Sequence, residues 1–275
     1  MTTYDVPVTS TLASPPARRS KAPAAWVPRE HGAWSWLLSP VLAGMIVAGP
    51  HVHQLFVLGV ALAGYLFFNA ASWWAKMPVK RRDRTLAPMA VYAVVAALMV
   101  LGLLVTAGWG VVGWLTLMVV PLVIAYLSTL RGAGRSLASG LATALSSSAL
   151  VLIAMHPDLP TFLRDFRSVW GWAFMIMYGQ TTCTLFAVKS MIRERTSNRF
   201  LGASIGWHVA WVLATAVGTL HGLPLVWPLF FGLGVLRAVG LPLYVRRRSL
   251  KPMTIGLVEL GLTLLMLGLM ARPGL

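Results

Sequence analysis

The chain has 275 residues, of which 57% are hydrophobic and 11% charged, and a formal net charge of +16 from 23 bases and 7 acids. A water-soluble domain carries about 25% charged residues, so the composition excludes a soluble globular fold and makes lipid the solvent. The excess of bases does not point to nucleic acid, because no nucleic-acid-binding motif accompanies it and the bases flank apolar runs, as the positive-inside rule requires.

The first 28 residues are rich in Pro, Ala, Ser and Thr and contain no apolar run. They read as a disordered cytoplasmic tail rather than a signal peptide, and residues 29–275 read as a transmembrane helical domain. A spanning helix needs about 20 mostly apolar residues. Nine stretches meet or nearly meet that length: approximately 33–50, 54–75, 88–107, 109–128, 137–155, 168–188, 200–220, 224–245 and 254–271. Pro50, Pro78, Gly108, Gly132, Pro157, Pro224 and Pro252 mark the breaks. The predicted fold is therefore all-α, a polytopic membrane bundle of about nine helices. The fifth stretch is small and hydroxylated (Ser139, Gly140, Ala142, Thr143, Ala144, Ser146, Ser147, Ser148). Small faces let helices approach closely, which places it inside the bundle. Trp26, Trp34, Trp73, Trp109, Trp170 and Trp227 fall near the ends of apolar runs, where aromatic residues anchor spans at the interface.

Nineteen of the 23 bases lie in the tail or in alternate gaps: Lys76–Arg84, Arg131–Arg135, Lys189–Arg199 and Arg246–Lys251. The gaps near His51, Gly108 and His221 have none. The rule that cytoplasmic loops carry the Lys and Arg then gives an N-terminus inside, a C-terminus outside and a multi-pass protein of the inner (cytoplasmic) membrane. Arg164 and Arg167 are the bases of an outer loop, and Asp158 and Asp165 offset them.

Ionisable groups inside spans are expensive and mark functional positions. Arg237 and Glu259 are two such groups, on adjacent spans at similar depth from the intervening loop, so they are expected to pair. Glu30, His31, Asn69, Gln180, Lys189, Arg193 and His208 fall on the same, basic side. Together they can line a cationic cavity open to the cytoplasm, suited to phosphate or another anion through charge-assisted hydrogen bonds. His51, His53, His156 and His221 fall on the opposite side, on three loops without metal-ligand spacing, so no metal site is assigned to them. Cys183 is the single cysteine, which excludes an intramolecular disulfide. The chain has no phosphate-binding glycine loop, HExxH, GxSxG or dinucleotide fingerprint, and no cofactor is implied.

The segment Pro28-Arg29-Glu30-His31-Gly32-Ala33-Trp34 resembles the opening signature of the YwiC-like membrane proteins. The run Lys189-Ser190-Met191-Ile192-Arg193-Glu194-Arg195 is similar to that family's segment after the sixth span. With the span pattern, the resemblance covers about residues 28–271. The YwiC-like architecture is in turn similar to that of the UbiA prenyltransferases, nine-helix enzymes with a cytoplasm-facing cavity. Their Asp-rich motifs hold Mg²⁺ on a prenyl pyrophosphate and promote departure of the leaving group. Here Asn69 stands at the Asn of the first motif, but its Asp positions are Ala70, Trp73 and Met77. Arg84-Thr85-Leu86-Ala87-Pro88, and Tyr126 followed by Arg131, resemble the basic elements downstream. After the sixth span, Lys189, Arg193 and Arg195 stand in the region where those enzymes place acids. The resemblance therefore implies a UbiA-like bundle without Mg²⁺-dependent prenyl transfer.

These readings lead to a membrane protein that binds an anionic or isoprenoid-type lipid in a cationic cavity. Arg237, Lys189, Arg193 and Arg131 would contact the anion, and Glu30, His31 and Asn69 would shape the mouth. The sequence leaves open whether the chain is an enzyme; if it is one, His31 or Glu259 is the acid–base candidate. A transporter or permease, switched by Arg237 and Glu259, and a non-catalytic membrane partner protein are the alternatives.

Overall fold

The computed structural model describes residues 23–28, 32–248 and 250–272. Glu30 and His31 lie outside the described residues. Regular structure is helical throughout the described residues, and nine long helices carry the fold. They are α1 (Gly32–Ala48), α2 (Val52–Lys76), α3 (Asp83–Ala107), α4 (Val111–Leu130), α5 (Leu137–Met155), α6 (Ser168–Ile192), α7 (Asn198–Thr219), α8 (Val226–Arg247) and α9 (Pro252–Met270). Pro23–Trp26 and Leu159–Arg164 add short helices, and Val79–Arg81 a 3-10 turn. The first of these differs from the expectation of a tail reaching residue 28: Pro23–Trp26 packs on α2 and α3, where Asn69 and Tyr92 donate to the carbonyls of Ala25 and Trp26.

Seven of the long helices are long and apolar enough to cross a membrane, so the chain is a multi-pass membrane-embedded bundle. The other two depart for physical reasons. Helix α1 has 17 residues, and its apolar part, Trp34–Ala48, is shorter than a full span. Helix α6 has 25 residues but includes Gln180, Thr181, Thr182, Thr184 and Lys189. Its position tolerates them: α6 is the hub of the bundle, touching α1, α5, α7, α8 and α9, so protein rather than lipid surrounds much of it.

Two apolar cores fill the molecule, and α1 and α5 contribute to both. Val41, Val57, Leu103, Val111, Trp114 and Ile153 unite α1–α5. Ile176, Met177, Trp211, Trp227, Phe231 and Met266 unite α6–α9, and Ala43 of α1 and Val151 and Met155 of α5 join the same core. Trp227 is fully buried there, deeper than the interfacial position its place near a span end suggests. Small residues set the closest helix approaches, as expected where packing rather than water exclusion drives association. A Cβ on Gly44 of α1 would stand 2.5 Å from the Ala154 Cβ of α5, and one on Gly59 of α2 would stand 2.5 Å from the Met99 sulfur of α3. Helix α5 is mostly buried, its serines included, and touches α1, α2, α4 and α6.

Backbone groups in lipid must find partners within the protein, and the C-terminal end of α5 shows how. Buried Gln54 donates to the carbonyls of Gly49 and Ala154 and accepts from the His51 amide. The His53 imidazole also lies 3.0 Å from the Ala154 carbonyl oxygen, and Trp114 donates to the His156 carbonyl. The histidine-rich end is thus built around helix termination.

Candidate functional site

Four helices bring polar side chains together inside the second core. Helix α6 supplies Thr184, α7 His208, α8 Arg237 and α9 Glu259. Arg237 and Glu259 form an ion pair through one guanidinium amino group and Glu259 Oε2. Thr184 Oγ1 donates to that same oxygen at 2.7 Å, and Gln180 donates to Thr184 at 3.4 Å. The other Arg237 amino group lies 2.7 Å from His208 Nε2. A guanidinium only donates, so Nε2 accepts. His208 Nδ1, 2.7 Å from the Ser204 carbonyl oxygen, then carries the ring proton. The hydrogen bonds therefore select a neutral His208, and the trio of His208, Arg237 and Glu259 has no net charge. Arg237 and Glu259 are 7% and 6% exposed. Arg237 lies about 15 Å along α8 from Arg247, at 1.5 Å per residue.

The network is not fully satisfied internally. Arg237 Nε, Glu259 Oε1 and the Ser204 hydroxyl are buried without a hydrogen-bond partner among the described residues. It also borders a gap. Helix α8 packs on α7 and α6, whereas α9 packs on α1 and α6. Between α8 and α9 runs a groove of about 350 Å³ lined by Leu233, Leu236, Gly240, Leu241, Val258 and Leu262, with Arg237 as its polar residue.

The predicted anion-binding residues fall in separate places. Lys189 and Arg193 both donate to the Arg135 carbonyl, at 2.9 and 3.2 Å, which gathers three basic residues at the loop before α5. Arg131 is exposed on the same connection. Beside this cluster a second groove, of about 250 Å³, has an apolar floor of Leu137, Phe186, Phe200 and Ala203 and a polar rim of Glu194, Ser197 and Arg199. Two other bases hold the helix ends together: Arg195 donates to the Val245 carbonyl, and Arg246 to the carbonyls of Arg195 and Ser197 and to the Asn198 side chain. Asn69 sits apart, against the Pro23–Trp26 helix. The basic cluster and the ion pair thus lie at different depths, since Lys189 follows Thr184 on α6 by about 7.5 Å of rise.

Sequence reasoning singled out Arg237 and Glu259 and noted His208, but it missed Thr184, Ser204 and Arg135. The hydroxyl-rich run Gln180-Thr181-Thr182-Cys183-Thr184 inside an apolar stretch was the available signal for Thr184. Arg135 acts through its main chain, which no side-chain pattern reveals.

Comparison with known families bears on the first five helices. Residues 27–155 match the family model described as YwiC-like protein. Over those residues the chain is similar to the YwiC-like family. The match covers a little under half of the chain and stops at the last residue of α5, so the YwiC-like region corresponds to the α1–α5 core. The α6–α9 core, with the ion pair and most of the basic cluster, lies beyond it. No curated protein and no solved structure matches the chain.

Proposed function

We propose that this YwiC-like protein is a multi-pass protein of the inner (cytoplasmic) membrane that binds a phosphate-bearing lipid on its basic, cytoplasmic side. The observation that carries the reading is the convergence of Lys189 and Arg193 on the Arg135 carbonyl beside an amphipathic groove. Arg135 and Arg193 stand within two residues of the groove residues Leu137 and Glu194. The cations suit a phosphate, and the Leu137–Phe186–Phe200 floor suits the start of an acyl or isoprenoid chain. Arg131 and Arg199, both exposed, extend the field around the headgroup. A UbiA-like arrangement of the nine helices belongs to the same proposal, without the Asp-rich metal sites. In this reading the N-terminus lies in the cytoplasm and the C-terminus outside, and no metal or cofactor takes part.

Native mass spectrometry of the protein purified from membranes tests the reading. Anionic lipids should remain bound in preference to zwitterionic ones. Each juxtamembrane base is worth about 1 kcal/mol toward an anionic lipid, so Lys189→Ala with Arg193→Ala should weaken retention about thirtyfold. Arg272→Ala should leave it unchanged. Equal retention of neutral and anionic lipids by the parent and the double variant would refute the proposal. A second reading, a transporter or permease, is favoured by the ionised Arg237–Glu259 pair within the membrane. Solute flux in proteoliposomes, abolished by Arg237→Leu and without headgroup selectivity, would replace the first reading with the second.

A further inference from the structure

We infer that the groove at the α6–α7 connection takes a phosphodiester lipid with a polyol headgroup, Glu194 accepting from a headgroup hydroxyl while the neighbouring bases hold the phosphate. The inference rests on the anionic-lipid reading of the same site and specifies its headgroup.

The connection is built to hold its side chains in place. Helix α6 ends where the Arg193 and Glu194 amides both donate to the Lys189 carbonyl, at 3.0 and 2.9 Å. Ser197 then caps α7 by accepting from the Phe200 amide at 3.1 Å. Between them, Arg195 donates to the Val245 carbonyl, and Arg246 donates to the carbonyls of Arg195 and Ser197. These bonds tie the loop to the end of α8, so Glu194 and Ser197 line the groove from a braced main chain. On the floor, the Phe186 and Phe200 rings stack with centroids 5.8 Å apart and planes 20° from parallel. They give the start of an acyl chain a flat apolar surface.

The polar capacity of the rim decides the headgroup. Among the described residues the ion pairs are Arg164–Asp165 and Arg237–Glu259, so the Glu194 carboxylate is left without a paired base. The Ser197 oxygen is used as a cap, but its hydroxyl proton has no acceptor among the described residues. Lys189 lies within electrostatic reach of both Arg193 and Glu194, so the rim and the basic cluster act on one ligand.

A bare phosphate would satisfy the cations but meet the Glu194 carboxylate with like charge. An ammonium would suit Glu194, yet Lys189, Arg193 and Arg199 outnumber that acid, and a zwitterion brings no net charge to offset them. A hydroxyl donates to a carboxylate without adding charge, and a hydrogen bond to an ionised acceptor is roughly twice as strong as a neutral one. A second hydroxyl on the same headgroup can accept from Ser197. A phosphodiester extended by a polyol therefore meets the bases, the acid and the serine together.

The test uses the full chain and native mass spectrometry after exposure to an equimolar mixture of four lipids with identical acyl chains. These are phosphatidylglycerol, phosphatidylmethanol (the same charge without a headgroup hydroxyl), phosphatidylethanolamine and phosphatidylcholine. Phosphatidylglycerol should be retained about tenfold over phosphatidylmethanol, the equivalent of one charge-assisted hydrogen bond. Glu194→Gln should cut that ratio to about threefold, because the acceptor becomes neutral, and Glu194→Ala should bring it to parity. Both variants should keep the preference for anionic lipids, and Cys183 should stay protected from thiol reagents as in the parent. Equal retention of phosphatidylglycerol and phosphatidylmethanol, both above phosphatidylcholine, would overturn polyol recognition and leave the anionic-lipid reading standing. Equal retention of all four lipids would overturn both. Preference for phosphatidylethanolamine would assign Glu194 to an ammonium, and a glycerol preference that survives Glu194→Ala would remove Glu194 from the site; either result overturns the inference.

Discussion

Removing one partner of the intramembrane pair should harm the fold more than removing both. Glu259→Leu leaves Arg237, 7% exposed, as an uncompensated cation and strips Thr184 of its acceptor. Breaking a buried pair in this way costs about 3–5 kcal/mol. Arg237→Leu leaves the Glu259 carboxylate with Thr184 as its hydrogen-bond donor and His208 Nε2 without one, a loss in the same range of about 3–5 kcal/mol. The double variant carries no buried charge. Its remaining losses are the neutral hydrogen bonds of Thr184 and His208, about 1–2 kcal/mol together, so it should be more stable than either single variant. Thermal unfolding in detergent can be followed through Cys183, the single cysteine and 1% exposed, which reacts with a fluorogenic maleimide as the bundle opens. Tryptophan fluorescence provides a second signal that does not depend on the neighbourhood of Cys183. Each single variant should unfold about 10 °C lower than the parent, and the double variant between them and the parent. A double variant as unstable as the worse single one would refute the buried-charge reasoning.

Two further outcomes follow from helix packing and charge. Gly44→Ala should destabilise the bundle by about 1–3 kcal/mol, because its Cβ would stand 2.5 Å from that of Ala154. Gly64→Ala, where a Cβ meets nothing within 4 Å, should be neutral or stabilise by up to about 1 kcal/mol through helix propensity, and thermal unfolding separates the two. In a Cys183→Ser background, a membrane-impermeant maleimide added to intact cells should label His221→Cys and spare Lys80→Cys. The reverse pattern would invert the topology.

The fold was legible because lipid imposes simple rules. Apolar run length located all nine helices, and α5 showed its inner position in its serines and alanines. The 168–188 run located α6 as well, although Gln180 and three threonines lower its hydropathy; a hub helix that contacts protein rather than lipid can hold them. The site was legible only in part. Arg237 and Glu259 are conspicuous because charge is rare within spans, and their distances from a short loop place them level. What the sequence does not contain is partner choice across helices: that His208 faces Arg237, that Thr184 shares the Glu259 oxygen, or that Lys189 and Arg193 meet on a main-chain carbonyl. Those depend on helix rotation, which the residues of four separate spans determine together.

The structure also divides the work among the cations. Counted from sequence, Arg237, Lys189, Arg193 and Arg131 form one anion-binding group. In the bundle, Arg237 already has a carboxylate and an imidazole, whereas Lys189 and Arg193 share a neutral carbonyl and keep their charge available to a ligand. Arg237 is thus committed to its two internal partners, and Lys189 and Arg193 are the cations that the proposed anionic lipid would meet. The YwiC-like match ends at α5, so the ion pair and most of the basic cluster stand on helices outside it. Helices α1 and α5 reach into both cores, so the matched region also supports the helices that carry the ion pair.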